Sequence, residues 1–346
     1  MSALTFELPA RLEAKRPPEA RDAVRLLVAD RSDGSITHSR FRELPHFLAP
    51  GDLIVVNNSA TLPAALPAEL PDGTALELRL STPARGLDAD HWIVELRLHD
   101  APFTAGEVGY ELQLPAGATA VILAPYAAPR LWLAQLELPG PLEAYLAEHG
   151  HPIRYRYVPR DWPLAEYQNV YAVEPGSAEM PSAGRPFTQE MITELVAQGV
   201  LVAPITLHTG VSSQERNERP YAERYRVPEH TARLVNAVRE WDGRVVATGT
   251  TVVRALETVA QPDGTVAAGE GWTNLIVTPE RGLWAIDALL TGLHEPNSSH
   301  LDVLRAASGD ELLADSYSAA LRHAYHWHEF GDSHLILGVQ MERNSQ

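Results

Sequence analysis

Residues 244–258 read RVVATGTTVVRALET. A β-branched run to Thr248 is followed at once by Gly249-Thr250-Thr251 and then by apolar residues at helical spacing. The stretch therefore predicts a strand over Arg244–Gly249, a tight polar turn and a helix over Thr251–Val259. A strand feeding directly into a helix is the repeating unit of an α/β sheet domain. The turn also leaves free N–H groups and hydroxyls at the strand's C-terminal end. That arrangement suits an anion or a ribose hydroxyl, while a threonine-capped helix is the plainer reading. The Gly-Lys-Ser/Thr ending of a Walker loop and the GxGxxG fingerprint are both absent. Arg254 and Glu257, three apart on the helix, either pair across its surface or face a ligand.

The alternation extends outward from this stretch. Upstream lie a helix over Gln189–Gly199, a strand over Val200–Leu207 and a helix over Pro228–Asp242. Downstream lie strand candidates at Leu275–Val277 and Leu283–Asp287, then helices over His300–Ser308 and Glu311–His323. Near the N-terminus, RLLVADRSDGSITHSRFREL has the pattern of a hairpin around Asp-Gly, and Asp52–Val56 reads as a buried strand ending in Asn57-Asn58, a pair whose commoner use is turn or cap chemistry. Between residues 63 and 150 the texture changes. Short alternating runs (Ala75–Leu80, His91–Leu98, Tyr110–Leu114, Thr119–Leu123, Leu131–Leu138) are separated by Pro, Gly and Asp, which predicts a small all-β unit or barrel. A short helix over Gly140–His149 and the Pro-rich HPIRYRYVPRDWPLAEYQNVY return the chain to the main domain. The expected architecture is an α/β main domain with an inserted small β-barrel domain.

Composition bounds the function. At 346 residues with 45% apolar and 21% charged residues, the chain holds ample material for one large or two ordinary cores and does not read as disordered. No window approaches the roughly 18 apolar residues of a membrane span, and the N-terminus lacks a basic region followed by an apolar run, so the expected location is the cytoplasm. The absence of cysteine removes disulfides, thiolate nucleophiles and thiolate metal sites together. The net charge is −17 and Lys15 is the only lysine, a balance that argues against gripping nucleic acid through its phosphates, although a local arginine patch is compatible with it.

Three further stretches carry chemistry. In APITLHTG, His208 follows a buried strand and enters a polar loop, where it serves either as a general acid or base or as a hydrogen-bonded structural group. AIDALLTGLHEPNSS places Asp287 and His294 around a strand-to-loop transition. HAYHWHEFGDSHLIL holds His323, His326, His328 and His334, but no HExxH-type pattern, so these read as a surface cluster and no metal is expected. Finally, YQNVYAVEPGSAEMPSAGRPFT (Tyr167–Thr188) sets aromatics and small residues just before a helix, as a backbone that closes on a ligand does.

Taken in order, RDAVRLLVADRSDGSITHSRF, LAPGDLIVVNN, the Tyr167–Thr188 stretch, ITLHTG, GTTVVRALET, GWTNLIV, DALLTGLHEPNSS and FGDSHLIL resemble the S-adenosylmethionine:tRNA ribosyltransferase-isomerases of queuosine biosynthesis, across almost the whole chain. The resemblance implies an S-adenosylmethionine-binding catalytic domain made of residues 1–62 and 151–346, with the barrel inserted at 63–150. It implies an enzyme that uses the ribosyl part of S-adenosylmethionine as substrate. A proton leaves the sulfonium-bearing C5′, adenine is expelled, an amine on the 7-aminomethyl-7-deazaguanine base of tRNA attacks, and methionine departs as an epoxycyclopentane forms. The residues it points to for the S-adenosylmethionine are Tyr167, Tyr171, Ser182, Ala183, Gly184, Thr206, Gly249, Thr250, Thr251, Arg254 and Asn274. Proton handling falls to His208 and His294, with Asp287 as an orienting or accepting carboxylate. A monomer is the expected state.

The chain also departs from the family pattern. Ala-Gly-Leu-His-Phe-Thr is replaced by AGRPFT, which puts Arg185 and Pro186 at the Leu and His positions. Ala60 and Ala65 stand where arginines are expected, Asn297 where a lysine is expected, and the loop after His208 is shorter and lacks the usual histidines. These positions could meet a tRNA or its modified base. Two alternatives to the family reaction follow: a divergent paralogue using S-adenosylmethionine with a small-molecule acceptor or alone, and a non-catalytic nucleoside-binding paralogue.

Overall fold

The computed structural model describes residues 6–99, 101–127, 129–211, 221–296 and 298–339. Eighteen strands are defined among these. The first four are β1 (Arg25–Asp30), β2 (Ser35–Arg40), β3 (Leu53–Asn57) and β4 (Ser59–Thr61). Then come β5 (Ala65–Glu69), β6 (Ala75–Pro83), β7 (His91–Leu98), β8 (Ala101–Pro102), β9 (Glu111–Gln113), β10 (Thr119–Pro125) and β11 (Leu131–Glu137). The rest are β12 (Glu174–Ser177), β13 (Leu201–Leu207), β14 (Glu223–Val227), β15 (Val245–Thr248), β16 (Gly269–Thr273), β17 (Ala288–Gly292) and β18 (Ser333–Leu337). The helices are α1 (Leu142–His149), α2 (Gln189–Ala197), α3 (Glu229–Glu240), α4 (Thr250–Val259), α5 (His300–Ser308) and α6 (Asp310–Arg322).

The expected α/β main domain with an inserted barrel is what these elements build. The main sheet runs β16-β14-β13-β3-β15-β17-β18-β1-β2, with β13, β3, β15 and β17 mutually parallel at its centre. Its strands alternate between two cores because successive side chains point to opposite faces. Leu53, Val55, Val245 and Ala247 face α3, α4, α5 and α6, whereas Ile54, Val56 and Val246 face α2 and the 3-10 segment Phe41–Phe47. Helices on both faces explain why the central strands read as unbroken apolar runs.

Strands β5, β6, β7, β11, β10 and β9 close into a six-stranded antiparallel barrel, β7 pairing with β11 to complete the ring and β8 adding to its edge. Trp92, Val94 and Leu96 on β7 and Trp132, Ala134 and Leu136 on β11 fill it at period two. Two strand expectations fail. Neither Leu275–Val277 nor Leu283–Asp287 is a strand; the strand begins at Ala288, and the preceding apolar residues are buried as irregular chain. A continuous apolar run shows burial but not where a strand begins. Strand β14 and the edge strand β16 have no counterpart among the expected strands.

Candidate functional site

The crevice of an open α/β sheet lies beyond the carboxyl ends of its parallel strands, where the chain connects to opposite sides. Here β3 is that point, with β13 on one side and β15 on the other. Asn57 closes the end of β3. Its amide donates to the Leu207 carbonyl at 2.8 Å, its oxygen accepts from Leu207 N–H at 3.0 Å, and Nδ2 lies 3.3 Å from Thr251 Oγ1. Asn58 accepts the Thr206 hydroxyl at 2.7 Å. Both side chains thus tie the end of β3 to β13, and Asn57 alone makes a turn bond, its oxygen also accepting from Ser59 N–H at 3.1 Å.

Beyond these ends lies a cavity of about 230 Å³. Its floor includes Gly249, Thr250, Thr251 and Arg254 from the start of α4. Gly249 takes φ 91°, a left-handed conformation that favours glycine, and as N-cap it offers no side chain to the helix end. Arg254 donates to the Glu223 carboxylate, to Leu275 O at 3.2 Å and to Thr273 O at 3.3 Å. Glu257 points elsewhere, pairing with Arg281 at 2.7 Å and accepting the N–H groups of Trp284 and Ala285.

One wall carries three histidines. Thr250 Oγ1 is 2.9 Å from His300 Nδ1, and the His300 ring stacks on His294 at 4.6 Å. His294 Nε2 is 3.0 Å from Thr291 Oγ1; its N–H is bound by the Tyr317 hydroxyl and its carbonyl by the Trp327 indole. Burial, and after it the neighbouring His300, holds the His294 imidazole well below its ordinary range, and burial lowers His300 to about 4. Both are neutral at pH 7. The wall continues through Glu295 to His328, 3.1 Å from it, and on to Tyr155, Glu179 and Glu329.

Of the residues expected at the site, the structure brings together Ser182, Ala183, Gly249, Thr250, Thr251, Arg254 and His294 as lining. Gly184 sits just behind: a Cβ there would lie 1.9 Å from the Tyr171 hydroxyl, so the small residue answers Tyr171 and not a ligand. Tyr171 packs on Phe187 at 6.0 Å, and Tyr167 is buried against Phe330 at 5.3 Å; neither lines the cavity. Asn274 is exposed, and the Thr206 hydroxyl is taken by Asn58.

His208 and Asp287 do not line the cavity. His208 Nδ1 lies 2.8 Å from Ser59 Oγ, which in turn meets Ser177 Oγ at 2.6 Å, and the imidazole is lowered to about 4 first by burial and then by Arg224. The imidazole is not among the lining groups, although Thr209 and Gly210 are. The Asp287 carboxylate accepts from Val245 N–H at 2.9 Å, at the amino end of β15. Parallel pairing of β15 with β17 puts it at the opposite end of the strand from Thr291, four residues or roughly 13 Å away. The expected surface histidine cluster is also split: His323 and His326 are exposed, His328 lines the cavity and His334 is fully buried.

Tyr155, Glu179, Tyr221, Glu223, Glu295, His300, His328 and Glu329 also line the cavity, although none is among the site residues expected from the sequence. One signal was available: Glu329 sits in WHEF between bulky aromatics, and a charge in such a run is either buried for a purpose or solvent-facing. Of the family departures, Arg185 is buried, donating to Glu166 at 2.8 Å, and Ala65 is buried in β5. Asn297 and the loop 212–220 lie outside the described residues. Among the described residues no three His, Asp or Glu side chains converge as a metal site, and no helix is long and apolar enough to cross a membrane.

Comparison with known proteins adds the whole-chain view. A family model described as "Queuosine biosynthesis protein" matches residues 1–336. The S-adenosylmethionine:tRNA ribosyltransferase-isomerase of Symbiobacterium thermophilum is 36% identical over 97% of this chain and 99% of its own length. The protein of that name from Moorella thermoacetica is 38% identical over 96% of this chain and 98% of its own. A solved structure, the S-adenosylmethionine tRNA ribosyltransferase of Thermotoga maritima, is 30% identical, covers 97% of this chain and 100% of its own, and superposes with a TM-score of 0.56.

Proposed function

This chain belongs to the queuosine biosynthesis protein family, and on that premise we propose that it is an S-adenosylmethionine:tRNA ribosyltransferase-isomerase. Its substrates are S-adenosylmethionine and the 7-aminomethyl-7-deazaguanine base of tRNA, and it releases adenine and methionine. The observation that carries this reading is the convergence of three distant segments, Met180–Ala183, Gly249–Arg254 and Thr291–Pro296 with Ser298–His300, on one cavity at the carboxyl ends of the parallel strands. Each belongs to a stretch that resembles the family. In this reading residues 63–150 form the inserted domain and the remainder the catalytic one.

The residues divide the work by chemistry. The open first turn of α4, with the Thr250 and Thr251 hydroxyls, offers donors to the nucleoside where adenine takes up the electron pair of the breaking glycosidic bond. Ser182 and Ala183 bring backbone close to it. His294, neutral at pH 7 and fixed by Thr291, Tyr317 and Trp327, presents a lone pair for the acidic C5′ proton next to the sulfonium. Arg254, tied to Glu223, builds the floor rather than contacting phosphate. Relatives named for tRNA that align along essentially their whole length favour a tRNA acceptor over a small molecule, despite the replaced basic positions.

The test is incubation of the purified protein with S-adenosylmethionine, with and without tRNA carrying the aminomethyl-deazaguanine base, following adenine and methionine by liquid chromatography. Release of both only with that tRNA is the expected result. Release without tRNA, or none in either case, overturns the assignment of acceptor or of activity.

A further inference from the structure

Outside the cavity, one end of the main sheet gathers basic side chains although the chain as a whole carries a net charge of −17. Arg25 opens β1, Arg40 closes β2, and Arg322 ends α6 with His323 as its C-cap. The side chains of His38, Arg40, Arg42, Arg322, His323 and His326 are exposed. A helix dipole accounts for basic groups at the C-terminus of α6, but not for His38 and Arg40, which come to that place from β2.

The cluster is packed as a unit. The His38 ring lies on His323 at 4.1 Å, and its Nδ1 is 2.9 Å from the Tyr325 hydroxyl. The Arg25 guanidinium covers the Tyr325 ring at 4.1 Å, donates to the His323 carbonyl at 2.7 Å and pairs with Asp332 at 2.8 Å; Arg40 stands opposite Arg25 in the β1–β2 register. Acids here are already engaged. Asp332 also accepts the His326 N–H at 2.7 Å, and Glu43 accepts the Arg40 N–H at 3.2 Å and the Ser39 hydroxyl. Partial burial first, and then the basic neighbours His323, Arg25 and Arg322, lower the His38 imidazole, which is the mark of a locally positive field.

Strand register ties this cluster to the cavity. Gly292 at the close of β17 stands opposite Ser333 on β18, Ser333 opposite Leu26 on β1, and Leu26 opposite Ser39 on β2. Thr291, Gly292, Leu293 and His294 line the cavity, so the basic end lies along the same edge of the sheet, three strand spacings or roughly 14 Å on. Fixed cations with ring faces beside them suit a nucleic-acid strand, whose phosphates take the charge and whose bases stack. We propose that Arg25, His38, Arg40, Arg322 and His323 form the docking face for the phosphate backbone of the tRNA whose modified base enters the cavity. The proposal rests on the function assigned above. Arg25 orders the cluster through Asp332, and the exposed Arg40 and Arg322 supply the phosphate contacts that the family pattern would place at Ala60 and Ala65.

The test is fluorescence anisotropy of the tRNA carrying the aminomethyl-deazaguanine base, titrated with the wild type, Arg40→Gln, Arg322→Gln and the double variant at salt from about 50 to 200 mM. Isothermal titration with S-adenosylmethionine runs beside it. Both side chains are exposed, and thermal melts establish that each variant is folded. Arg233→Gln, on α3 and paired with Glu229, controls for a change of net charge alone. Each lost phosphate contact should flatten the slope of log affinity against log salt by about 0.7–1, and the double variant by about twice that. Its tRNA affinity is expected to fall by about tenfold or more, with S-adenosylmethionine affinity within twofold and Arg233→Gln like the wild type. Wild-type slope and affinity in the double variant overturn the proposal, and so does an equal loss in Arg233→Gln, because net charge and not this face is then responsible. Adenine release by the wild type that does not depend on the tRNA sinks the assigned acceptor itself, a result read before any variant is compared. Tied to the tRNA and kept at wild-type kcat/KM by the double variant, the same release leaves the function standing and rejects only the docking face.

Discussion

The barrel and the cavity each bury a glutamate, and they treat it in opposite ways. Glu95, in the middle of β7, is fully buried among guanidiniums: Arg130 at 2.8 Å and Arg97 at 2.9 Å on one oxygen, Arg79 at 3.9 Å from the other. Each leaves one oxygen without a hydrogen bond, but burial and then Glu179 drive the Glu329 carboxyl well above the ordinary carboxylate range. The barrel cluster also reaches the cavity, since Arg130 donates to the Val211 carbonyl at 3.4 Å and Val211 is a lining residue.

Breaking the compensated charge is the largest effect expected. Glu95→Ala removes the carboxylate that Arg130, Arg97 and Arg79 share, Arg79 keeping Glu77 at 2.5 Å, and loss of one partner from a buried ionic cluster costs about 3–5 kcal/mol. Urea unfolding should show a loss of that size. A loss under 1 kcal/mol would mean that water reaches the cluster and that the contrast with Glu329 is not one of burial.

Within the site the contrast is between two histidines. His294→Ala is expected to lower turnover by about a hundredfold or more, the usual contribution of a positioned base, with S-adenosylmethionine binding largely kept. His208→Ala, whose imidazole meets Ser59 instead of the cavity, should lose far less. The pH profile sharpens this. The imidazole of His294 is held below its ordinary value of about 6.5, so it keeps its lone pair until pH falls through that lowered value, and the acid limb of kcat/KM must lie well below pH 6.5. A limb at 6.5 or above, or equal losses in the two variants, removes His294 from the role of base.

The fold was largely legible because period two survives in its strands. Every second residue of β7 and β11 fills the barrel, and β3, β13 and β15 carry apolar residues on both faces, as strands between two helical layers must. Strand β14 was hidden because ERYRV buries only Tyr225 and Val227, and the edge strand β16 because GEGWT is rich in glycine. At the site, the segments could be read but not the facing of their side chains. GTTVVRALET announces a strand-turn-helix end, and its Gly249, Thr250, Thr251 and Arg254 do line the cavity. The aromatics of YQNVY look equally ligand-facing, yet Tyr171 turns toward Phe187 and Tyr167 toward Phe330. Which side a loop aromatic faces is set by packing from distant segments, and no local pattern carries it.

Asp287 gives the smallest and most pointed test of the same lesson. It sits seven residues before His294 in a stretch that looks functional throughout, but a strand separates the two ends, and only one end borders the cavity. Its carboxylate holds the Val245 N–H at 2.9 Å where β15 begins. Asp287→Ala removes that acceptor and nothing near the substrate, so stability should fall by about 1 kcal/mol, the net worth of one hydrogen bond, with kcat and KM within twofold of the wild type. A hundredfold loss of turnover at unchanged stability would instead place the carboxylate in the chemistry, and the assignment of the site to the carboxyl ends of the strands would then have to be given up.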